Sequence, residues 1–450
     1  MVSMKSQKEK SIFAWYMYDW ANSAFATTII AALLPIYFAT VIVPQGGWTF
    51  RFGSIEIPTN ATTLWGFLSG TTALFVFLTA PILGAIADIA ESKKKFLMTF
   101  CFGGSLFTTL MFFSRSGDVW MTMIFFFLAN TCFISANIFY DSFLPHIASR
   151  REIDQVSGRG YAYGYLGGGL QFLICIILIL AHNKIGIEKT MAVRISLLFS
   201  GVWWAGFSII TLVWLNEPKD NKTSPQQYPG VNNSWTYIRF GLSRTWRTIL
   251  NARKHRNLTI FLIAFMFYND GIHTVIRMAA IYGKDELGLK NHTLMGTLLL
   301  VQFIGIGGAL LFSRIAKTLG SKRILIFVLF LWLGILCYAY LMTSALDFWI
   351  LGMAVGLVLG GSQAISRSLY GSMIPVEESA EFFGFYSVFE KFSAIWGPFV
   401  FGIIRQVTGT SRLAILSLVG FFIIGIVLLC FVKDNGAKPK DKLHISSGNL

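Results

Sequence analysis

Two stretches decide how this chain is read: Tyr18-Asp19-Trp20-Ala21-Asn22-Ser23 and Tyr268-Asn269-Asp270-Gly271-Ile272-His273. Each sets an aspartate inside a long apolar run. An ionisable side chain in hydrocarbon costs about 3 kcal/mol or more, so it turns toward a cavity or a partner. The two stretches occupy corresponding places in what reads as a duplicated chain. Together they point to a central polar pathway.

The composition agrees with a membrane setting. Of 450 residues, 54% are hydrophobic and 13% charged, about half of the ~25% charge of a soluble domain. Mean hydropathy is +0.61. Twelve apolar runs reach the ~20 residues that cross a ~30 Å hydrocarbon core: 12–43, 62–87, 95–114, 118–140, 160–181, 194–215, 258–282, 293–312, 324–343, 347–369, 382–404 and 412–432. The chain opens like a signal peptide, with Lys5, Lys8 and Lys10 before an apolar run. That run is too long and carries Asp19, so it is expected to stay as the first span. The five cysteines all fall in apolar runs without metal-site spacing and read as packing residues.

A net charge of +15 does not indicate nucleic acid, because the basic residues cluster in short connections. With both termini on one side, that side holds about 26 of the 37 basic residues and is expected to be cytoplasmic. The longest connection, 216–257, divides the spans six and six. It opens as a polar loop and then turns amphipathic, with Trp235, Ile238, Leu242, Trp246 and Ile249 on one helical face and Arg244 and Arg247 opposite. The expected organisation is therefore a six-helix bundle over 1–215, a linker with an amphipathic helix over 216–257, a second bundle over 258–432, and a disordered tail over 433–450. That tail is polar.

Polar residues are spread unevenly among the spans. Between their end residues, spans three, six, nine and twelve hold no charged residue, Asn, Gln or His, and they read as lipid-facing or scaffold helices. Spans one, four, seven and ten carry the costly groups on single helical faces. These are Trp15, Asp19 and Asn22; Asn130, Asn137 and Asp141; Asp270, His273 and Arg277; and Gln363, Arg367 and Tyr370. Spans five, eight and eleven add Gln171, Gln302 and the adjacent Glu390-Lys391. The candidate solute-binding or proton-coupling set is Asp19, Asn22, Asn137, Asp270, His273, Arg277, Gln363, Arg367 and Glu390. Each also has a plainer reading. Asp270 and Arg277 could belong to a structural charge network, lone amides bridge helices by hydrogen bonds, and Asp141 and Arg367 lie near span ends and could sit in the interface.

A carboxylate in a low-dielectric cavity loads and unloads protons near neutrality, and His273 is a second candidate acceptor. Aspartate and arginine in one cavity suit a zwitterion, the acid holding an ammonium and the arginine a carboxylate. Trp15, Tyr18, Trp20, Tyr161 and Tyr268 would equally suit sugar rings.

Gly84-Ala85-Ile86-Ala87-Asp88, followed by Lys93-Lys94-Lys95, resembles the loop signature of the major facilitator superfamily. The second copy, near Gly308 to Arg323, lacks the aspartate. More narrowly, Tyr18 to Thr27, Tyr268-Asn269-Asp270-Gly271 and Gly361 to Ser368, with Phe383-Gly384-Phe385-Tyr386 and Glu390-Lys391, resemble the vacuole effluxer-like family. The similarity runs over nearly the whole chain. The resemblance implies an all-α integral membrane fold of twelve helices in two pseudo-symmetric six-helix bundles that alternate access. It also implies a role for Asp88, Lys93, Lys94 and Lys95 as a conformational latch, and amino acids as a solute class.

The leading expectation is a secondary active carrier of a small polar solute, an amino acid or similar zwitterion, coupled to a proton or other cation. A sugar or glycoside symporter, a lipid flippase on the same fold and a non-transporting sensor are the alternatives. No pore repeat or phosphate-binding loop is present, and the histidines are scattered. No enzyme activity, cofactor, metal or nucleic acid is expected. The chain is expected as a monomer in the cell (inner) membrane with both termini cytoplasmic.

Overall fold

The computed structural model describes residues 2–44, 46–52, 55–217, 234–250, 254–393 and 395–433. All twelve expected spans are helices long and apolar enough to cross a membrane: Gln7–Ile42, Thr63–Ile89, Lys93–Phe113, Val119–Ile147, Ile153–Leu180, Lys189–Trp214, Arg256–Lys284, Thr293–Leu319, Ser321–Leu341, Ala345–Met373, Val376–Thr408 and Ser411–Phe431. Most outrun the apolar stretches that announced them, because polar residues at the ends continue the helical hydrogen bonding. The expected tail lies, from residue 434 on, outside the described residues, as does most of the polar opening of the linker.

Three departures matter. The first span is not a plain α-helix, since π-helical turns occupy Phe25–Leu33 and Phe38–Ile42. The connection after it is not only loop, because Trp48–Phe52 and Ile55–Thr59 pair antiparallel with Trp48 opposite Thr59. The eleventh span, expected as one run, is two helices, Ser379–Phe392 and Trp396–Thr408.

The break has a local cause and a remote support. Pro398 lacks the N–H that would carry the ladder backward. Asn269 and Asp270 of the seventh span hold the two sides. Asn269 Nδ2 donates to Ser393 Oγ at 2.6 Å, and the Gly397 N–H donates to Asp270 Oδ1 at 2.9 Å. The aspartate thus sits at the N-terminus of the second half-helix, where free N–H groups and the helix dipole favour an anion.

The two bundles meet tightly on the face that carries the chain's N-terminal end, here called the terminal face. Gly84 of the second span lies against the backbone of Ala380, and Gly384 of the eleventh lies against Ala80 and Pro81; a Cβ at either glycine would overlap backbone. Asp88 caps this contact, accepting from the Ala380 and Glu381 N–H groups at 3.2 and 2.9 Å. Lys93 Nζ lies 3.0 Å from Asp88, donates to Ser379 Oγ at 2.8 Å and lies 2.9 Å from His146 Nε2. Lys94 contributes its backbone N–H, donated to Glu217 at 2.8 Å, and Lys95 is exposed. Burial and the approach of Lys94 act oppositely on Glu217, which lies outside the spans; burial dominates and raises its pKa.

The linker contains a helix, Ser234–Leu250, lying along the second span. Arg244 Nε is 2.7 Å from Glu381 Oε2, and Thr248 Oγ1 donates to Glu381 Oε1 at 2.7 Å.

Two outcomes test this account. Gly384→Leu should weaken closure of the terminal face by about 2 kcal/mol, seen as faster hydrogen–deuterium exchange at residues 80–90; unchanged exchange there refutes the close approach. Asp270→Ala should cost about 2 kcal/mol by orphaning the Gly397 N–H, whereas Asp270→Asn keeps an acceptor and should cost less than half of that. Equal losses in urea or thermal unfolding would show that the carboxylate does not act as the cap.

Candidate functional site

The first, fourth and fifth spans together build a pocket that holds one cation from the tenth. On the first span, Trp15 and Asp19 stand one turn apart on a shared face. Tyr140 and Asp141 come from the fourth span, and Ser157, Gly160 and Tyr161 from the fifth. Arg367 crosses from the second bundle into this pocket. Its Nη1 donates to Asp141 Oδ1 at 3.1 Å and Asp19 Oδ2 at 3.3 Å. Nη2 donates to Asp19 Oδ2 at 3.3 Å and the Ser157 carbonyl at 2.9 Å, and Nε donates to Ser157 Oγ at 3.0 Å. The planar fork of donors explains why arginine rather than lysine fits here.

Aromatic rings close around the charge. The guanidinium carbon lies 4.0 Å from the Tyr161 ring centroid and 4.7 Å from that of Trp15. Trp15 stacks on Tyr140 at 4.5 Å and donates its indole N–H to the Tyr140 carbonyl at 2.8 Å. The Tyr140 hydroxyl donates to Asp19 Oδ2 at 2.8 Å. A Cβ on Gly160 would come within 2.6 Å of the Trp15 ring and 2.9 Å of both Arg367 and Asp19, so the bare backbone is what lets the pocket close. Arg367 is 2% exposed and Asp19 7%. Desolvated cation–π contacts contribute about 2 kcal/mol each. The ion pairs themselves contribute little net stability, but removing one partner would strand a buried charge at a cost of about 3–5 kcal/mol. Two carboxyl groups face one guanidinium.

Above and below this cluster, further polar contacts join the bundles. Toward the terminal face, Asp154 accepts from Ser321 Oγ at 2.9 Å and from Ser368 Oγ, and Lys317 donates to Gln155 at 3.2 Å. Ser157 Oγ donates to the Ala364 carbonyl at 2.8 Å. On the other side, Tyr165 donates to Gln363 Oε1 at 2.6 Å and Gln302 donates to Thr27 at 3.3 Å. Asn22 and Asn137 meet at 2.6 Å within the first bundle. Gln171 bridges Thr28 and Ser200, also within that bundle.

The structure therefore divides the candidate set. Asp19, Arg367 and Gln363 make contacts across the meeting of the bundles, whereas Asn22 and Asn137 bond to each other inside the first. Arg367 is buried in the first bundle's pocket, and Asp141 joins it there with a half-buried side chain. Asp270 is nearly fully buried against the broken eleventh span rather than paired with Asp19. His273 is partly buried; Arg277 on its own span and Lys391 on the eleventh bring positive charge to bear on it. Arg277 is exposed, and Glu390 and Lys391, paired at 3.3 Å, keep about one-third of their side chains exposed. A cavity of about 300 Å³ borders Asp270, lined by Met266, Phe267, Trp396, Val400 and Phe421.

Sequence reasoning missed Ser157, Asp154 and the part played by Tyr140. Asp154 lies before the expected fifth run, 160–181, but inside the observed helix Ile153–Leu180.

Known proteins match this chain. The family model described as "Vacuole effluxer Atg22 like" matches residues 7–155 and 148–442. An uncharacterized MFS-type transporter of Bacillus subtilis (strain 168), YxiO, is 33% identical over 427 residues, covering 94% of each chain. Autophagy-related protein 22-1 of Aspergillus niger is 22% identical, over 97% of this chain and 90% of that one. Among solved structures, the human organic anion transporter MFSD10 superposes with a TM-score of 0.70 at 12% identity, covering 94% of this chain and 99% of that one. The proton:xylose symporter XylE superposes at 0.69 with 11% identity, covering 96% and 97%. FucP in its outward conformation gives 0.68 at 11% identity, covering 94% and 98%. These structural likenesses establish the major facilitator fold, and the sequence matches go further. Matched along nearly its whole length, and sharing a third of its residues with a full-length MFS-type relative, the chain belongs to the vacuole effluxer Atg22-like family of major facilitator superfamily transporters.

Proposed function

We propose that the chain is a secondary active transporter that exchanges the Arg367 ion pair for a zwitterionic solute, an amino acid or close analogue, and couples its movement to protons. The observation that carries this reading is the cation of one bundle buried in the acid pocket of the other. Such a pair must part when the bundles rock. A zwitterion can take its place without leaving a charge unpaired: its carboxylate meets the Arg367 fork and its ammonium meets Asp19 and Asp141. The amino-acid expectation thus rests on Asp19 and Arg367 rather than on Asp270 and Arg277. The fungal relatives are autophagy-related proteins, and the family is described as vacuole effluxers, which is compatible with solute export.

The exposed Arg277 and the partly exposed Glu390-Lys391 pair support a wet vestibule on the side away from the terminal face. Tight contact at the terminal face supports an occluded-to-open state closed on that side. The positive charge of the terminal-face connections supports a cytoplasmic location for it, in the cell membrane, with 1–215 and 258–432 as the moving units and a monomer as the working form. The surplus of carboxyl groups over guanidinium in the cluster supports proton coupling, because one guanidinium shared by two acids leaves room for a proton to serve as the second counter-charge.

Flux in proteoliposomes tests the solute. Radiolabelled neutral amino acids should enter or leave faster than in empty vesicles. Asp19→Asn and Arg367→Gln should each cut this by about 100-fold, in line with losing one charge-assisted contact pair. The Asp19→Asn/Arg367→Gln double variant should regain thermal stability but not flux. Recovery of both would make the pair merely structural, and stabilisation by sugars or lysolipid alone would overturn the zwitterion.

Coupling has its own readout. A pH gradient should drive accumulation that a protonophore abolishes. Asp141→Asn should retain solute exchange while losing gradient-driven accumulation; accumulation that survives in this variant would remove Asp141 from the proton path.

A further inference from the structure

The linker helix Ser234–Leu250 offers its surface in three sectors. Gly241 lies against Ile82 and Ile86 near the end of the second span, and Thr245 is buried beside it. Arg244 and Thr248 share that sector and reach Glu381. At about 100° per residue, Leu242, Trp246 and Leu250 form a second stripe centred roughly two-fifths of a turn away. They are 47%, 62% and 66% exposed. Ser243 and Arg247 lie along the far edge of that stripe, and Arg239 shares its direction about one turn before Leu242, at the stripe's N-terminal end; all three are exposed. A helix that touches a span end on one side, carries an adjacent apolar stripe with a tryptophan and keeps arginines at the rim has the build of one lying at a bilayer surface. The position beside Ile82–Ile86 sets its depth at the boundary where that span leaves the hydrocarbon.

What the helix holds gives this placement a consequence. Closing the terminal face brings Asp88 of the first bundle and Glu381 of the second together, since Asp88 accepts the Glu381 N–H at 2.9 Å. Both carboxylates are buried. Each has its own cation: Lys93 at 3.0 Å from Asp88, and Arg244 at 2.7 Å from Glu381 and 3.1 Å from Glu378. Lys93 is fixed at the start of a span. Arg244 is supplied by the linker, and its position depends on where the helix lies.

We propose that the linker helix is a lipid-responsive clamp. Anionic phospholipid headgroups bind Arg239 and Arg247 while Leu242, Trp246 and Leu250 enter the leaflet, and this seats Arg244 on Glu381 and holds the terminal face closed. The occupant of the apolar stripe is the leaflet itself, argued from the membrane plane that the second span fixes and from the basic rim. A neutral leaflet gives the helix its apolar contact but not its charge contact, so the clamp loosens and the face opens more often.

Hydrogen–deuterium exchange of the full chain in nanodiscs tests this without knowledge of the solute. Amides of residues 376–384 should exchange about threefold or more slowly in mixed phosphatidylcholine and phosphatidylglycerol than in phosphatidylcholine alone. Arg239→Gln/Arg247→Gln and Leu242→Ser/Trp246→Ser should each abolish the lipid difference, with the spans still protected. Arg244→Gln should exchange fast in both lipids. Equal exchange of the native chain in the two nanodiscs overturns the proposal, as does a lipid response that survives in both double variants. A detergent-stable dimer that Trp246→Ser dissociates would assign the stripe to a second copy of the chain, and it too would overturn the lipid assignment.

Discussion

The fold turns on burying a cation of one bundle among the acids of the other. In a low-dielectric interior neither a lone guanidinium nor a pair of unneutralised carboxylates is tolerable, so the bundles can close only in the register that places Arg367 between Asp19 and Asp141. The surrounding geometry serves that register. Gly160 removes the atom that would obstruct it, Trp15 and Tyr161 face the flat cation, and Ser157 takes up two more of its N–H groups.

The same physics recurs at the terminal face with different chemistry. There two carboxylates, Asp88 and Glu381, come together across the bundle boundary, and each is neutralised by a cation of its own. The central pair links the bundles directly through one arginine; the outer pair needs a lysine from a span and an arginine from the linker. A transporter that must break and remake its interface gains from contacts of this kind, since ion pairs fix geometry strongly while adding little net stability.

The internal repeat is real at the level of architecture and has diverged at the level of chemistry. Tyr140 and Tyr370 end corresponding helices, yet Tyr140 serves the charged cluster while Tyr370 donates to the Phe382 carbonyl at 2.7 Å and steadies the eleventh span. Asp19 and Asp270 stand in matching motifs. Asp19 receives a cation from the other bundle, whereas Asp270 caps a broken helix within its own. The break at Pro398 gives Asp270 its partner, whereas the fifth span beside Asp19 runs as one helix, Ile153–Leu180.

The sequence alone determined the membrane setting, the twelve spans and the helices that bear the polar groups. These follow from run length, from the cost of charge in hydrocarbon and from 3.6-residue spacing, all local properties of the chain. Arg367 and Asp141 were visible as residues but not as partners, and their nearness to span ends made them look peripheral. Arg244 read as the solvated side of an amphipathic helix, yet its partner is Glu381. Only the tertiary structure decided these pairings, and it set Asp270 apart from Asp19. The reason is physical: a helical face states which side chains share a direction, but the partner of a buried charge is chosen by how helices pack, within a bundle or between the two, through residues more than a hundred positions away in the chain.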